Sequence, residues 1–255
     1  MTCSAELPPL RRSRSDPRVA FGPVSDVDRH FGAAMHRLME RGARSFLDVG
    51  GGARPSLRLA RIRELGLGYV VMDVSAAELA RTPEGYRTFE GDVLDRRSVE
   101  DLLAAGGPFD VVVSRWTAEH MSDGGRFHRN VFALLRPGGT AVHLFPTLYA
   151  LPFLFNRVVD SRTALRVLSA AQPARRAKFA AYYSWCRGPS RRQLARLESV
   201  GYDIDAYIGF FGHYYYRRVA PLWALQRRLV PLAVDHPVAL ATSFALAVLK
   251  RPGAG

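Results

Sequence analysis

Ser45-Phe46-Leu47-Asp48-Val49-Gly50-Gly51-Gly52 is the stretch that decides the fold. A short apolar run that stops at three successive glycines reads as a buried strand feeding a tight turn. Glycine reaches dihedrals closed to other residues and leaves room for a ligand against the backbone. A helix is expected directly after the turn, with Pro55 accommodated in its first turn. Leu59, Ile62 and Leu65 would face the sheet, and Gly66 and Gly68 mark the exit.

The same pattern repeats outward. Tyr69–Met72 reads as a second strand ending at Asp73, and Arg87–Glu90 as a third ending at Gly91-Asp92. Phe109–Val113 is almost continuously apolar, as in a strand buried on both faces, and ends at Ser114. Phe127, Val131 and Leu134 suit a helix, Pro137-Gly138-Gly139 a turn, and Thr140–Phe145 a further buried strand. Strands alternating with helices give a doubly wound α/β architecture: a mostly parallel sheet with helices on both faces. Upstream, Ser25 or Asp26 can cap a helix carrying Phe31, Met35, Leu38 and Met39 and ending at Gly42. Downstream, Ser190 caps a helix with Leu194, Leu197 and Val200 inward, which Gly201 ends. Tyr202–Phe210 and Leu240–Leu249 read as strands around an aromatic, basic helical insert at about 214–234.

Composition bounds the function. The 255 residues include 36 basic and 23 acidic side chains, a net charge of +13 that draws the protein toward anions. Only Lys178 and Lys250 are lysines, so the individual arginines carry little information. Cys3 and Cys186 stand in no metal-binding spacing, and no metal site is expected. No signal peptide or membrane-spanning run is read, and a cytoplasmic protein is expected. Residues 1–20, rich in Pro, Arg and Ser, are expected to form a mobile arm.

In an open parallel sheet, ligands bind outside the carboxyl ends of the strands. Asp73 stands where a carboxylate can accept both hydroxyls of a ribose, and Asp92 where one can accept from an adenine amino group. A nicotinamide-binding fold is the main competitor, but its G-x-G-x-x-G fingerprint fails here, because Pro55 occupies the third glycine position. The ordered set Phe46–Gly52, Val71-Met72-Asp73, Gly91-Asp92-Val93, Phe109–Ser114, Glu119-His120 and Leu135-Arg136-Pro137-Gly138-Gly139 resembles the motifs of class I S-adenosylmethionine-dependent methyltransferases. The resemblance covers roughly residues 45–145. It implies a seven-stranded sheet whose last strand, Leu240–Leu249, runs antiparallel beside the fifth. It also implies S-adenosyl-L-methionine as cofactor, with Asp48, Gly50, Gly51 and Gly52 beside its methionine part, Asp73 on the ribose and Asp92 on the adenine. Val93 and Ser114 complete the expected cofactor set. Arg54 departs from the pattern, standing where relatives often have a third glycine.

The implied organisation is one domain over 21–255: a cofactor-binding core at 43–146, an acceptor lid at 147–188 and a C-terminal part with the aromatic insert at 189–250. The expected reaction is methyl transfer to an oxygen, in preference to nitrogen, of a small-molecule, sugar or lipid-linked acceptor. His120 and then His213 are the candidate general bases, each also readable as a structural histidine. His143 reads as core. Trp116, Tyr182, Tyr183 and Trp185 suit an acceptor pocket or plain packing. Residues 157–196 hold ten basic side chains against Asp160, densest at Arg175, Arg176 and Lys178. They suit an anionic acceptor, an acidic inner-membrane surface or solvent. Ser114-Arg115-Trp116-Thr117 replaces the Asn-Pro-Pro-Tyr type of motif, which argues against nucleic acid. A nucleic-acid methyltransferase and a non-catalytic cofactor-binding protein remain the rival readings.

Overall fold

The computed structural model describes residues 7–148, 180–214, 217 and 220–253. Five parallel strands carry the site: β3 (Ser45–Val49), β4 (Gly68–Asp73), β5 (Arg87–Glu90), β6 (Phe109–Arg115) and β7 (Leu135–Pro146). From β3 the chain winds outward through β4 and β5, then returns to place β6 and β7 on the other side of β3. The strand order therefore reverses between β3 and β6, and a crevice opens at their carboxyl ends.

Why these strands are central follows from their side chains. Phe46, Leu47, Val111, Val112 and Val113 are fully buried because helices cover both faces. With a period of two, Leu47 and Val112 enter one layer while Phe46, Val111 and Val113 enter the other. Helix α1 (Val27–Glu40) gives Phe31 and Met35 to the second layer, and α2 (Leu59–Glu64) gives Ile62. Helices α4 (Arg96–Gly106), α5 (Gly124–Leu134) and α6 (Arg191–Glu198) fill the first; α3 (Ala76–Leu79) is a single turn beside β4. Ser190 caps α6 as read from the sequence, accepting from the Gln193 N–H, and Gly201 follows at φ 109°.

Beyond β7 the sheet continues with β9 (Phe244–Lys250), antiparallel to both β7 and β8 (Asp203–Phe211). The antiparallel last strand beside the fifth is thus present. It starts later than Leu240, because Ala239–Ala241 forms a 3-10 turn. Helix α7 (Ala220–Asp235) fills the insert between β8 and β9.

Four expectations need correction. The segment before residue 20 is no mobile arm where it is described: Val19–Pro23 forms β2, parallel to β8, and Arg11–Arg12 forms β1 against it. Val19 and Phe21 are buried, so this segment repays its ordering with core contacts that a composition reading discounts. The sheet among the described residues accordingly has nine strands, not seven. The helix after the glycines begins at Leu59, and Pro55 lies in the preceding loop. Finally, Pro137-Gly138-Gly139 does not separate helix from strand but bulges within β7, where the register jumps from Phe109↔Leu135 to Val111↔Thr140.

Candidate active site

The crevice beside β3 is a cleft of about 810 Å3. One wall is backbone and carboxylate. Gly50 stands at φ 73° and donates its N–H to the Met72 carbonyl at 2.7 Å. A Cβ at Gly50 would overlap the Thr117 side chain, and one at Gly52 (φ 37°) would come within 2.8 Å of Asp73 Oδ2. Both positions thus require glycine, by conformation and by space.

Asp48 explains the loop's shape. It is 1% exposed and accepts from the Ser56 N–H at 2.6 Å, the Ser56 hydroxyl at 3.0 Å and the Tyr69 hydroxyl at 2.6 Å. Burial raises its carboxyl above the usual carboxylate range, opposed by those three donors. Asp48 itself lies beneath the loop rather than facing the cleft, and it holds the Ser56 N–H just where a helix was expected to start. Asp73, at the end of β4, lines the cleft; its Oδ1 accepts from the Ser75 N–H at 2.9 Å. Burial, reinforced by the Glu78 charge, raises its pKa. Asp92 follows β5 on the same rim, with Oδ1 accepting from the Leu94 N–H at 2.8 Å, and Val93 lies buried beside it.

The facing wall is built differently. Arg115 ends β6, Trp116, Thr117, His120 and Met121 follow it, and Ala180 and Tyr182 come from the end of the long aromatic segment. Trp116 takes φ 59° and meets the Phe244 ring edge-on at 5.3 Å. Arg115 reaches Asp28 of α1 at 2.8 Å. The backbone N–H groups of Tyr182 and Tyr183 donate to the Glu119 carbonyl at 2.8 and 3.0 Å, which fixes this segment against the turn bearing His120. His120 Nδ1 lies 2.9 Å from the Ala180 carbonyl and Nε2 lies 3.8 Å from Glu119 Oε1. A carbonyl only accepts, so Nδ1 carries the proton and a neutral ring keeps its lone pair on Nε2.

Of the residues singled out from sequence, Gly50, Gly51, Gly52, Asp73, Asp92, Val93 and His120 share this cleft. Three do not reach it. Asp48 lies beneath the loop. Ser114 is fully buried, its hydroxyl 2.8 Å from His143 Nδ1 within the sheet, because a strand residue's face is set by its parity. His213 is 4% exposed at the end of β8, with its backbone held by the Gln226 amide of α7, and burial pushes its pKa down to about 4. Thr117, Glu78, Arg115 and Ala180 line the cleft without having been singled out as site residues. Ser75-Ala76-Ala77-Glu78 carries a capping signal that marks Glu78; Thr117 and Ala180 have no local signal. Arg175, Arg176 and Lys178 lie outside the described residues. Among the described residues no group of three or more His, Cys, Asp or Glu could hold a metal.

Comparison with known proteins decides what this cleft belongs to. Residues 24–206 match a family model described as a methyltransferase domain. The chain belongs to the S-adenosylmethionine-dependent methyltransferases. Its cofactor is S-adenosyl-L-methionine, and the nicotinamide reading falls away. The chain is similar to a protein named "Uncharacterized methyltransferase" from Mycobacterium sp. (strain KMS), 31% identical over 58% of this chain and 57% of that one. It is also similar to a ubiquinone biosynthesis O-methyltransferase from Caulobacter sp. (strain K31), 39% identical over 38% of each chain. The matched stretches thus span between about a third and three fifths of these relatives. A SAM-dependent methyltransferase from Archaeoglobus fulgidus shares the fold, with TM-score 0.53 at 14% identity over 88% of this chain and 94% of that one. The cradle of Gly50 and Gly52 with the carboxylates of Asp73 and Asp92 fits the cofactor: it offers an open backbone channel beside two acceptors for hydroxyl and amino hydrogens.

Proposed function

We propose that this methyltransferase acts on an oxygen of a small-molecule, sugar or lipid-linked acceptor. The carrying observation is the division of one cleft into two walls. The glycine and carboxylate wall (Gly50, Gly51, Gly52, Asp73, Asp92, Val93) holds the cofactor. The aromatic wall (Trp116, His120, Tyr182) receives the acceptor. The O-methyltransferase names of partial relatives support oxygen over nitrogen. On this reading residues 43–146 are the cofactor-binding core, which lends Trp116 and His120 to the acceptor side, and the chain after 147 completes that side.

The bound cofactor supplies an electrophilic sulfonium methyl group. The chain's part is to place the acceptor oxygen within near-attack distance and to exclude water. His120 Nε2 takes the proton that the acceptor hydroxyl loses, while the Ala180 carbonyl holds Nδ1–H and fixes the ring. The imidazolium so formed faces a carboxylate oxygen of Glu119 at 3.8 Å. Tyr182, more than half exposed, offers a ring face for a sugar or aromatic acceptor.

Incubation with methyl-labelled S-adenosylmethionine and an extract of the native cell tests this reading. The expected product is a labelled small molecule or lipid carrying the methyl on oxygen. Label confined to nucleic acid, or no transfer despite cofactor binding, overturns it.

A further inference from the structure

The large apolar side chains left exposed among the described residues fall in two places. Val74, Trp116 and Tyr182 line the cleft. All the others lie between Tyr214 and Leu240, on α7 and in the chain flanking it. Leu225, Leu229 and Leu232 are 52%, 50% and 58% exposed. Their spacing of four and three puts them on one stripe of the helix. Gln226, Val230, Ala233 and Val234 turn the other way: Gln226 bonds the His213 backbone and the three apolar residues pack on the core. Val238 and Leu240 extend the exposed apolar surface, at 61% and 46% exposure.

Core packing therefore explains the inner half of α7, and among the described residues nothing covers the leucine stripe. The charge around the stripe says what fits it. From 214 to 240 the sequence holds four arginines and one acid, Asp235. Arg217, Arg227 and Arg228 are exposed. Two copies of this surface would set arginine against arginine, whereas an anionic surface neutralises them. At 16 residues the helix is too short to span a bilayer, and none of the described helices is long and apolar enough to do so. A leucine face with Arg228 beside it, three residues from Leu225 and four from Leu232, instead suits the boundary between lipid headgroups and acyl chains.

We propose that α7 docks this protein on an anionic lipid bilayer through Leu225, Leu229 and Leu232, with Arg228 beside the stripe meeting the headgroups and Arg217 and Arg227 adding positive charge nearby. Because β9 is antiparallel to both β7 and β8, β8 runs parallel to β7 and ends on the same edge of the sheet as the cleft. Docking at α7 thus brings the cleft edge of the sheet next to lipid. The proposal does not rest on methyl transfer and is read without turnover.

Co-sedimentation of the full chain with vesicles of phosphatidylcholine, with and without phosphatidylglycerol, tests it. Native protein should sediment with the anionic vesicles, less so as salt rises. Replacing the three exposed leucines together with glutamine should weaken that binding by about tenfold or more while leaving the melting temperature and S-adenosylmethionine affinity unchanged. Replacing the three arginines with glutamine should remove the preference for anionic vesicles. Absence of native binding, or unchanged binding in the leucine variant, overturns the proposal. So does a concentration-dependent dimer that the leucine variant abolishes, which would make the stripe a self-association surface.

Discussion

The two walls of the cleft teach different lessons about how a sequence encodes a site. The wall proposed for the cofactor comes from the ends of three adjacent parallel strands, β3, β4 and β5, and it consists of backbone and short carboxylates. The acceptor wall joins the turn after β6 to residues 180–182, some sixty positions away, through bonds such as Ala180 O to His120 Nδ1. Strand ends and local turns dictate the first wall. Long-range packing dictates the second.

The sharpest way to break this contrast is at His120. His120→Asn keeps a polar side chain but removes the base, and should lower turnover about 10²–10⁴-fold with cofactor affinity unchanged. Steady-state rates together with calorimetry check both halves. Native turnover would reduce the acceptor wall to positioning alone. On the other wall, Asp73→Ala removes a charge-assisted acceptor and should cost about 1.5–3 kcal/mol of cofactor binding, with little change in melting temperature because Asp73 ends a strand at the rim. If Asp73 accepts from the ribose hydroxyls as proposed, native affinity should also decline as pH falls through its carboxyl, starting above the usual range for an aspartate, because burial raises that pKa. A binding series against pH checks the sign.

A smaller effect tests the support beneath the acceptor wall. His128 and His143 are buried with ring centroids 5.3 Å apart, and His128 stacks on Trp185 of the aromatic segment. Burial pushes His128 down to about 3 and His143 well below its ordinary value. Both rings are neutral in the fold and take up a proton on unfolding below about pH 6.5. Their stability contribution is therefore complete above 6.5 and is lost as pH falls toward the folded values. Each should cost about 1 kcal/mol per pH unit in that window. Melting temperature followed from pH 7 to 5 should fall steadily, and His128→Phe should flatten the slope.

The contrast also explains what was legible. Ser45–Gly52 and the acids closing the next two strands announced themselves because apolar strands, glycines and carboxylates are local signals. At Asp48 the sequence shows a carboxylate near a loop but not that Ser56 and Tyr69 claim it. Ser114 failed for a similar reason: its parity in β6 turns it inward to His143. His213 has aromatic neighbours that suit a cleft, yet α7 holds it buried just after β8, away from the cleft lining. The early strand β2 was hidden because Val19–Pro23 gains its partners from β8, nearly two hundred residues later.

The most direct test of the central claim is a calorimetric titration of the native protein with S-adenosylmethionine, its demethylated product and a nicotinamide dinucleotide. A cleft built on Gly50, Gly52, Asp73 and Asp92 as described predicts one-to-one binding of the first two and none of the third. No binding of either sulfur compound, or a preference for the dinucleotide, would contradict it.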